Sequence, residues 1–379
     1  MLSRYPKEKK LLLFGNSLLK ICTKETFLYM TKKQSRSKQV FTCTTLSDLG
    51  ERRSEMDELK VKKSPFERAK MTLGVLALIV LAACSKVEGQ ADQIRRSADD
   101  TSIQVVATIG MITDVVREVG GKQVEVTGLM GPGVDPHLYK ASQGDIEKLD
   151  NAEVVFYGGL HLEGKMTEIF EKLEQRKRTV AVSKDIDPAL LRSGANAGGT
   201  QYDPHIWFNV RHWMTATQTI RDTLSAYDPD HADVYRKNAE AYIGELEKLD
   251  AEIKERIAEI PEQDRVLVTA HDAFGYFGDA YGIQVMGLQG ISTAAEYGSK
   301  DVAKLRDFLV ENKIKAVFVE SSIPTKSMEA VIAGAAELGH TVKIGGELYS
   351  DSLGEAGSEA DTYIHMVRHN VDTIVEALK

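Results

Sequence analysis

The triplet Asp-Pro-His occurs twice in this sequence, at residues 135–137 and 203–205. Proline fixes the backbone just before each histidine and has no N–H to donate. The preceding aspartate can cap the loop through its side chain. The rings of His137 and His205 are therefore held before any ligand arrives, which suits a metal site. A third histidine, His271, directly follows the β-branched run 266–270. A carboxylate, Asp351, lies in the segment 346–354 after the last such run. Three neutral imidazoles and one carboxylate are good ligands for a borderline divalent ion. One histidine in such a place is more often a packing residue, and the repeated triplet is what favours metal. The spacing is neither that of a zinc finger nor that of a His-Glu-x-x-His protease. His212, His231, His365 and His369 fall in helical stretches among charged neighbours, and His340 opens a strand. All five read as surface or packing histidines.

Distant ligands must be brought together by the elements that carry them. Strand-like runs occur at 104–109, 124–129, 153–157 and 179–182, and again at 265–269, 284–288, 315–319 and 341–344. Helix-sized amphipathic stretches such as 112–119, 165–173, 302–310 and 328–338 separate them. This alternation predicts parallel α/β structure with right-handed crossovers. In open α/β sheets ligands bind beyond the carboxyl ends of the strands, where His137 and His271 fall. Between the two sets of strands, apolar residues recur at Tyr235, Ala239, Tyr242, Leu246, Leu249, Ile253, Ile257 and Ile260. Steps of three and four make one helix face. Asp228-Pro229 supplies a cap and a first-turn proline, and Pro261 ends the pattern. About 30 residues at about 1.5 Å each span roughly 45 Å. The expected architecture is two parallel-sheet α/β lobes, residues 102–228 and 262–379, joined by one long linking helix at 229–261. His137 and His205 come from the first lobe, His271 and Asp351 from the second, so an ion would sit at the lobe interface.

The 379 residues include 42% hydrophobic and 27% charged side chains, an ordinary globular balance. Residues 1–70 carry 17 Lys and Arg against 8 Asp and Glu, whereas the whole chain carries 48 against 56. A basic leader thus precedes an acidic body, which will not hold nucleic acid or anionic lipid by bulk charge. Three cysteines cannot build a disulfide scaffold. The one strong apolar run, 71–83, is too short for a spanning helix and fits the apolar stretch of a secretory signal. Leu81-Ala-Ala-Cys84 after it resembles the bacterial lipobox, which makes Cys84 the lipidated first residue of the mature chain. Residues 61–83 are then a lipoprotein signal peptide and 84–101 a polar tether. Residues 1–60 read as an extension absent from the mature protein.

The motifs together resemble the metal-binding solute-binding proteins of bacterial manganese and zinc ABC importers, also called family 9 solute-binding proteins. The matching stretches are 131–149, 159–164 (Gly-Leu-His-Leu-Glu-Gly), 203–207, 271–277, 319–322 (Val-Glu-Ser-Ser) and 348–353. They span essentially all of 103–379. The resemblance implies two lobes on one long helix and four ligands at His137, His205, His271 and Asp351. It implies one divalent transition metal ion, Mn2+ or Zn2+, and delivery to an ABC transporter permease and its ATPase. It also implies a monomeric extracytoplasmic receptor, lipid-anchored to the bacterial cell envelope. Many manganese-selective members carry Glu where this chain has His271. Zinc-specific members often have a His-rich loop, and the stretch 183–202 contains no histidine. His161, Glu163 and Glu320 fall in matching motifs as groups that support the ligands or pack the lobes.

Two other classes fit the sequence less well. A hydrolytic zinc would need an open coordination position and a general base, and Asp272 and Glu320, the available carboxylates, sit in no hydrolase motif. An adhesin role finds no repeat, stalk or aromatic-rich exposed stretch to support it.

Overall fold

The computed structural model describes the backbone at residues 11–14, 18–23, 26–35 and 38–44, and residues 102–194 and 202–379 in full. The chain divides into two compact units, residues 1–91 and 92–379. In the first, β1 (Leu11–Phe14), β2 (Leu18–Thr23), β3 (Thr26–Ser35) and β4 (Lys38–Thr44) pair in sequence order as an antiparallel sheet. The sequence reads this segment as an extension. The signal-like run, Cys84 and the tether lie outside the described residues.

The second unit opens with β5 (Ile103–Ala107), β6 (Val124–Gly128), β7 (Val154–Tyr157) and β8 (Arg178–Ala181), a parallel sheet in the order β6-β5-β7-β8. Helices α1 (Gly110–Gly120), α2 (Gln143–Asn151) and α3 (Thr167–Glu174) form the crossovers. β5 is almost wholly buried, as expected of a central strand covered on both faces. α2 starts at a capping box in which Ser142 and Asp145 satisfy each other's backbone N–H groups.

Two long helices follow, α4 (Val210–Tyr227) and α5 (Ala232–Ala258), packed against each other. The predicted face of α5, from Tyr235 to Ile257, is buried throughout. Its start differs from the expectation. Asp228 and Pro229 open a 3-10 turn, Pro229–His231, and α5 begins after it. The Asp228 carboxylate is engaged by the Tyr235 hydroxyl at 2.8 Å and by His231 Nδ1 at 2.8 Å instead of capping the helix backbone. At about 1.5 Å per residue α5 is roughly 40 Å long.

In the second lobe, β9 (Val266–His271) pairs in parallel with β10 (Gln284–Gln289), and β11 (Ala316–Glu320) with β12 (Lys343–Leu348). β9 and β11 lie side by side. α6 (Gly275–Tyr281), α7 (Ser299–Glu311) and α8 (Lys326–Glu337) connect the strands. The β11–β12 register slips after Val317, where Gly346 adopts a φ of 155° that favours glycine. α9 (Tyr363–Leu378) then returns onto α5, β12 and α1. One apolar core therefore runs from Ile103 and Val155 of the first lobe through Leu246 of α5 to Phe318, Leu348 and Ile374. A smaller core around Val268, Leu309 and Val331 belongs to the second lobe alone. Among the described residues no helix is long and apolar enough to cross a membrane.

Candidate metal centre

His137, His205, His271 and Asp351 converge. One ligand atom from each lies within 4.8 Å of all the others. His137 Nε2 is 3.2 Å from His205 Nε2. Asp351 Oδ2 stands 3.8 Å from His137 Nε2 and 3.4 Å from His271 Nε2, and its Oδ1 stands 3.5 Å from His205 Nε2. Donors on a tetrahedron around an ion with ~2.1 Å bonds are about 3.4 Å apart, so the observed spacing fits one ion. All four residues are at most 3% exposed. Among the described residues, His271 Nε2 and both Asp351 oxygens are buried without a hydrogen-bond partner. Buried polar atoms are nearly always satisfied, and a cation shared by these atoms would satisfy them.

Each donor is set by its local chain. His137 lies in the turn after β6, where its N–H donates to Asp135 Oδ1 at 2.8 Å. The His205 N–H donates to Asp203 Oδ1 at 3.0 Å in the same way. Both Asp-Pro-His triplets thus form the aspartate-capped loop the sequence predicts. The second goes further, because Asp203 Oδ1 also faces His205 Nδ1 at 2.8 Å. His271 is the last residue of β9. Glu320, ending the adjacent β11, accepts the His271 N–H on Oε1 at 2.8 Å and meets Nδ1 with Oε2 at 2.5 Å. Carboxylates on the far nitrogen fix the ring tautomer and leave Nε2 for a metal. Asp351 follows β12, and the neighbouring Ser350 carbonyl accepts the Trp207 indole N–H at 2.9 Å from the first lobe. The lobes also meet where Gly133 N donates to Ser352 Oγ at 3.0 Å and Thr293 Oγ1 to Asp135 Oδ2 at 2.6 Å.

The electrostatics follow from this crowding. Burial works against a charged His205, but Asp203 and Asp351 outweigh it and hold its pKa up at about 9. Burial is likewise outweighed at His271 by Glu320 and Asp351, so that ring stays protonated well above the ordinary range. Burial would raise Asp351, yet His271 and His205 hold it well below the usual carboxylate range. His137 is pushed down to about 3 by burial, reinforced by the other two rings.

Glu163 and His161 do not touch the four donors in any described hydrogen bond or ion pair. Glu163 is buried beneath its own loop, where Oε1 accepts the Thr108 hydroxyl at 2.6 Å and the Gly158 N–H at 2.7 Å. His161 is exposed at a separate cavity of about 580 Å³, together with Tyr157, Phe170 and Ile186. Of the bland histidines, His212 is buried edge-on against Tyr276, and His340 lies in the turn before β12, bonded to the Ile314 carbonyl. The contact of Asp203 with the His205 ring goes beyond the backbone cap that the sequence predicts. Its signal was the triplet itself, since an aspartate two residues before a histidine can reach both its N–H and its ring.

Two α/β lobes on a continuous core, with a buried cluster of donors between them, define a two-lobed receptor for a small ligand. The profile of the family described as ZnuA, zinc-uptake complex component A periplasmic, matches residues 105–377, and the chain belongs to that family. It is 50% identical over 309 residues to the manganese-binding lipoprotein MntA of Bacillus subtilis, covering 82% of this chain and all of the relative. It is 45% identical over 311 residues to the zinc-binding protein TroA of Treponema pallidum, covering 82% of this chain and 99% of TroA. The solved structure of the periplasmic zinc-binding TroA superposes with a TM-score of 0.71 at 46% identity, over 73% of this chain and 99% of that one.

Proposed function

We propose that this chain is an extracytoplasmic receptor that captures one Mn2+ or Zn2+ between its lobes for uptake by an ABC transporter. His137, His205, His271 and Asp351 hold the ion, with Glu320 and Asp203 fixing two of the rings. The observation that carries this reading is the convergence of buried polar atoms without partners on one point. The relatives named for manganese and zinc binding support it. Four protein donors fill a tetrahedral shell and leave no position for an attacking water, which favours carriage over hydrolysis. Both ions suit the donor set, and zinc is the tighter binder in any such site. Selection of manganese would then rest on coordination number, availability or the transporter.

The partners are a permease and its ATPase. Cys84 carries the lipid anchor, and two or more acyl chains hold a protein stably at a membrane where one would be marginal. The receptor works as a monomer. The lobes follow the sequence boundaries at 102–228 and 262–379 around the 229–261 helical region. The shared core and stiff α5 predict a small domain motion. A cleft of about 300 Å³ lined by Asp135 and Leu138 on one lobe and Thr293 and Ser322 on the other offers the entry. The test is uptake of radiolabelled manganese or zinc into vesicles bearing the permease and ATPase. Uptake that requires this chain supports delivery. Uptake unchanged by its omission refutes it.

A further inference from the structure

We infer that Arg192 is a positioning residue for the metal receptor just proposed: it holds Asp203, and through Asp203 the His205 ring, while tying both to α6 of the second lobe. The inference rests on that receptor reading. Asp203 is fully buried, and its Oδ1 is occupied by the N–H and Nδ1 of His205. Among the described residues its Oδ2 has no hydrogen-bond partner, and neither does Arg192 Nε, which faces it at 3.5 Å. A buried carboxylate oxygen and a guanidinium N–H, each otherwise unused, thus stand a few tenths of an ångström from a charge-assisted hydrogen bond. The other branch of the guanidinium, Nη1, is bonded to Asp279 of α6. Asp272, next to the ligand His271, is also within its electrostatic reach.

The backbone of Arg192 is fixed by the same partners. Asp203 N donates to the Arg192 carbonyl at 3.0 Å, Arg192 N donates to the Tyr276 hydroxyl at 3.1 Å, and that hydroxyl donates to the Asp203 carbonyl at 2.9 Å. Arg192, Asp203 and Tyr276 therefore close a ring across the lobe seam. The fold also keeps a slot for the guanidinium. A Cβ placed on Gly275, at the start of α6, would lie 2.5 Å from Arg192 Nε and 2.8 Å from its Cζ. Glycine is a poor helix residue, so its presence in a helix where it clears the arginine is consistent with this use. Arginine suits the task because its planar fork reaches two carboxylates at once, which a lysine cannot do.

The test follows ion release from the full chain into excess chelator by stopped flow, together with the absorption bands of the Co2+-loaded protein. Arg192→Gln removes the tie. Gly275→Ala displaces the guanidinium while favouring the helix, and it stands in if Arg192→Gln fails to fold. Lys184→Gln, which breaks an exposed ion pair with Asp185, is the control. Loss of a group that orients a metal ligand commonly costs about 10- to 100-fold in affinity. Both Arg192→Gln and Gly275→Ala should release Mn2+ faster by about that factor and shift the cobalt bands. Arg192→Lys should fall between them and wild type, and the control should match wild type. Release within twofold of wild type in both Arg192→Gln and Gly275→Ala overturns the inference. So does faster release with unshifted cobalt bands, because His205 would then not have moved. A wild type that holds no ion strikes the receptor reading as well, whereas a loaded wild type with unaffected variants strikes this inference alone.

Discussion

Lowering the pH should expel the ion steeply, and the steepness can be worked from the site. In the ion-free protein His205 is held at about 9 and His271 well above its ordinary range, so both carry a proton on Nε2 at neutral pH. Those nitrogens are the ones facing Asp351. A metal must displace both protons, because only a neutral imidazole donates a lone pair. His137, pushed down to about 3, and Asp351, held low, contribute no proton in this range. The logarithm of the association constant should therefore rise by about two for each pH unit below about 8, since each displaced proton contributes about 1.4 kcal/mol per unit. Moving from pH 7.5 to 6.5 should weaken binding about 100-fold. The sign has a counterpart in stability. A histidine raised from about 6.5 to about 9 stabilises the ion-free fold fully below 6.5 and loses that contribution as pH rises through 9. The ion-free protein should melt at a lower temperature at pH 9 than at pH 6.5 on this account, while the loaded protein lacks that loss. Titration calorimetry in buffers of different ionisation enthalpy counts the protons directly. Release of about two per ion supports the reasoning, and release of none, with affinity flat from pH 7.5 to 6.5, refutes it.

Three further expectations follow from particular contacts. Glu320→Gln leaves the His271 ring facing an amide instead of a carboxylate, so metal affinity should fall about 10- to 100-fold by competition titration. Gly159→Ala places a Cβ 2.4 Å from Ser183 Oγ at a φ of 81°, and thermal melting should show a loss of about 1–3 kcal/mol. Small-angle scattering of ion-free and loaded protein should agree closely, because one core crosses both lobes, and a large compaction on loading would contradict that core.

The alternation of strands and helices is readable because strands such as Ile103–Ala107 and Ala316–Glu320 are short β-branched or apolar runs. The four donors that the structure brings together were readable for related reasons. Two follow an Asp-Pro pair, one ends a strand, and one follows the last strand. The start of α5 was misplaced because Asp228 turns to Tyr235 and His231 instead of the helix backbone, and pattern alone does not reveal which partner a carboxylate takes. Arg192 was invisible for a different reason. It lies in a coil without periodicity, and its partners Tyr276 and Asp279 meet it only when the lobes come together. Leu160 and His161 take left-handed backbone angles, a local loop geometry that a motif alone does not reveal.

The central claim is that one ion sits among His137, His205, His271 and Asp351. It is tested most directly by metal content, measured by mass spectrometry on residues 86–379 purified without chelator. His137→Ala and Asp351→Ala variants should be run alongside. The account predicts close to one divalent ion per chain, lost in both variants. Metal retained at full stoichiometry in either variant, or absent from the wild type, would contradict it.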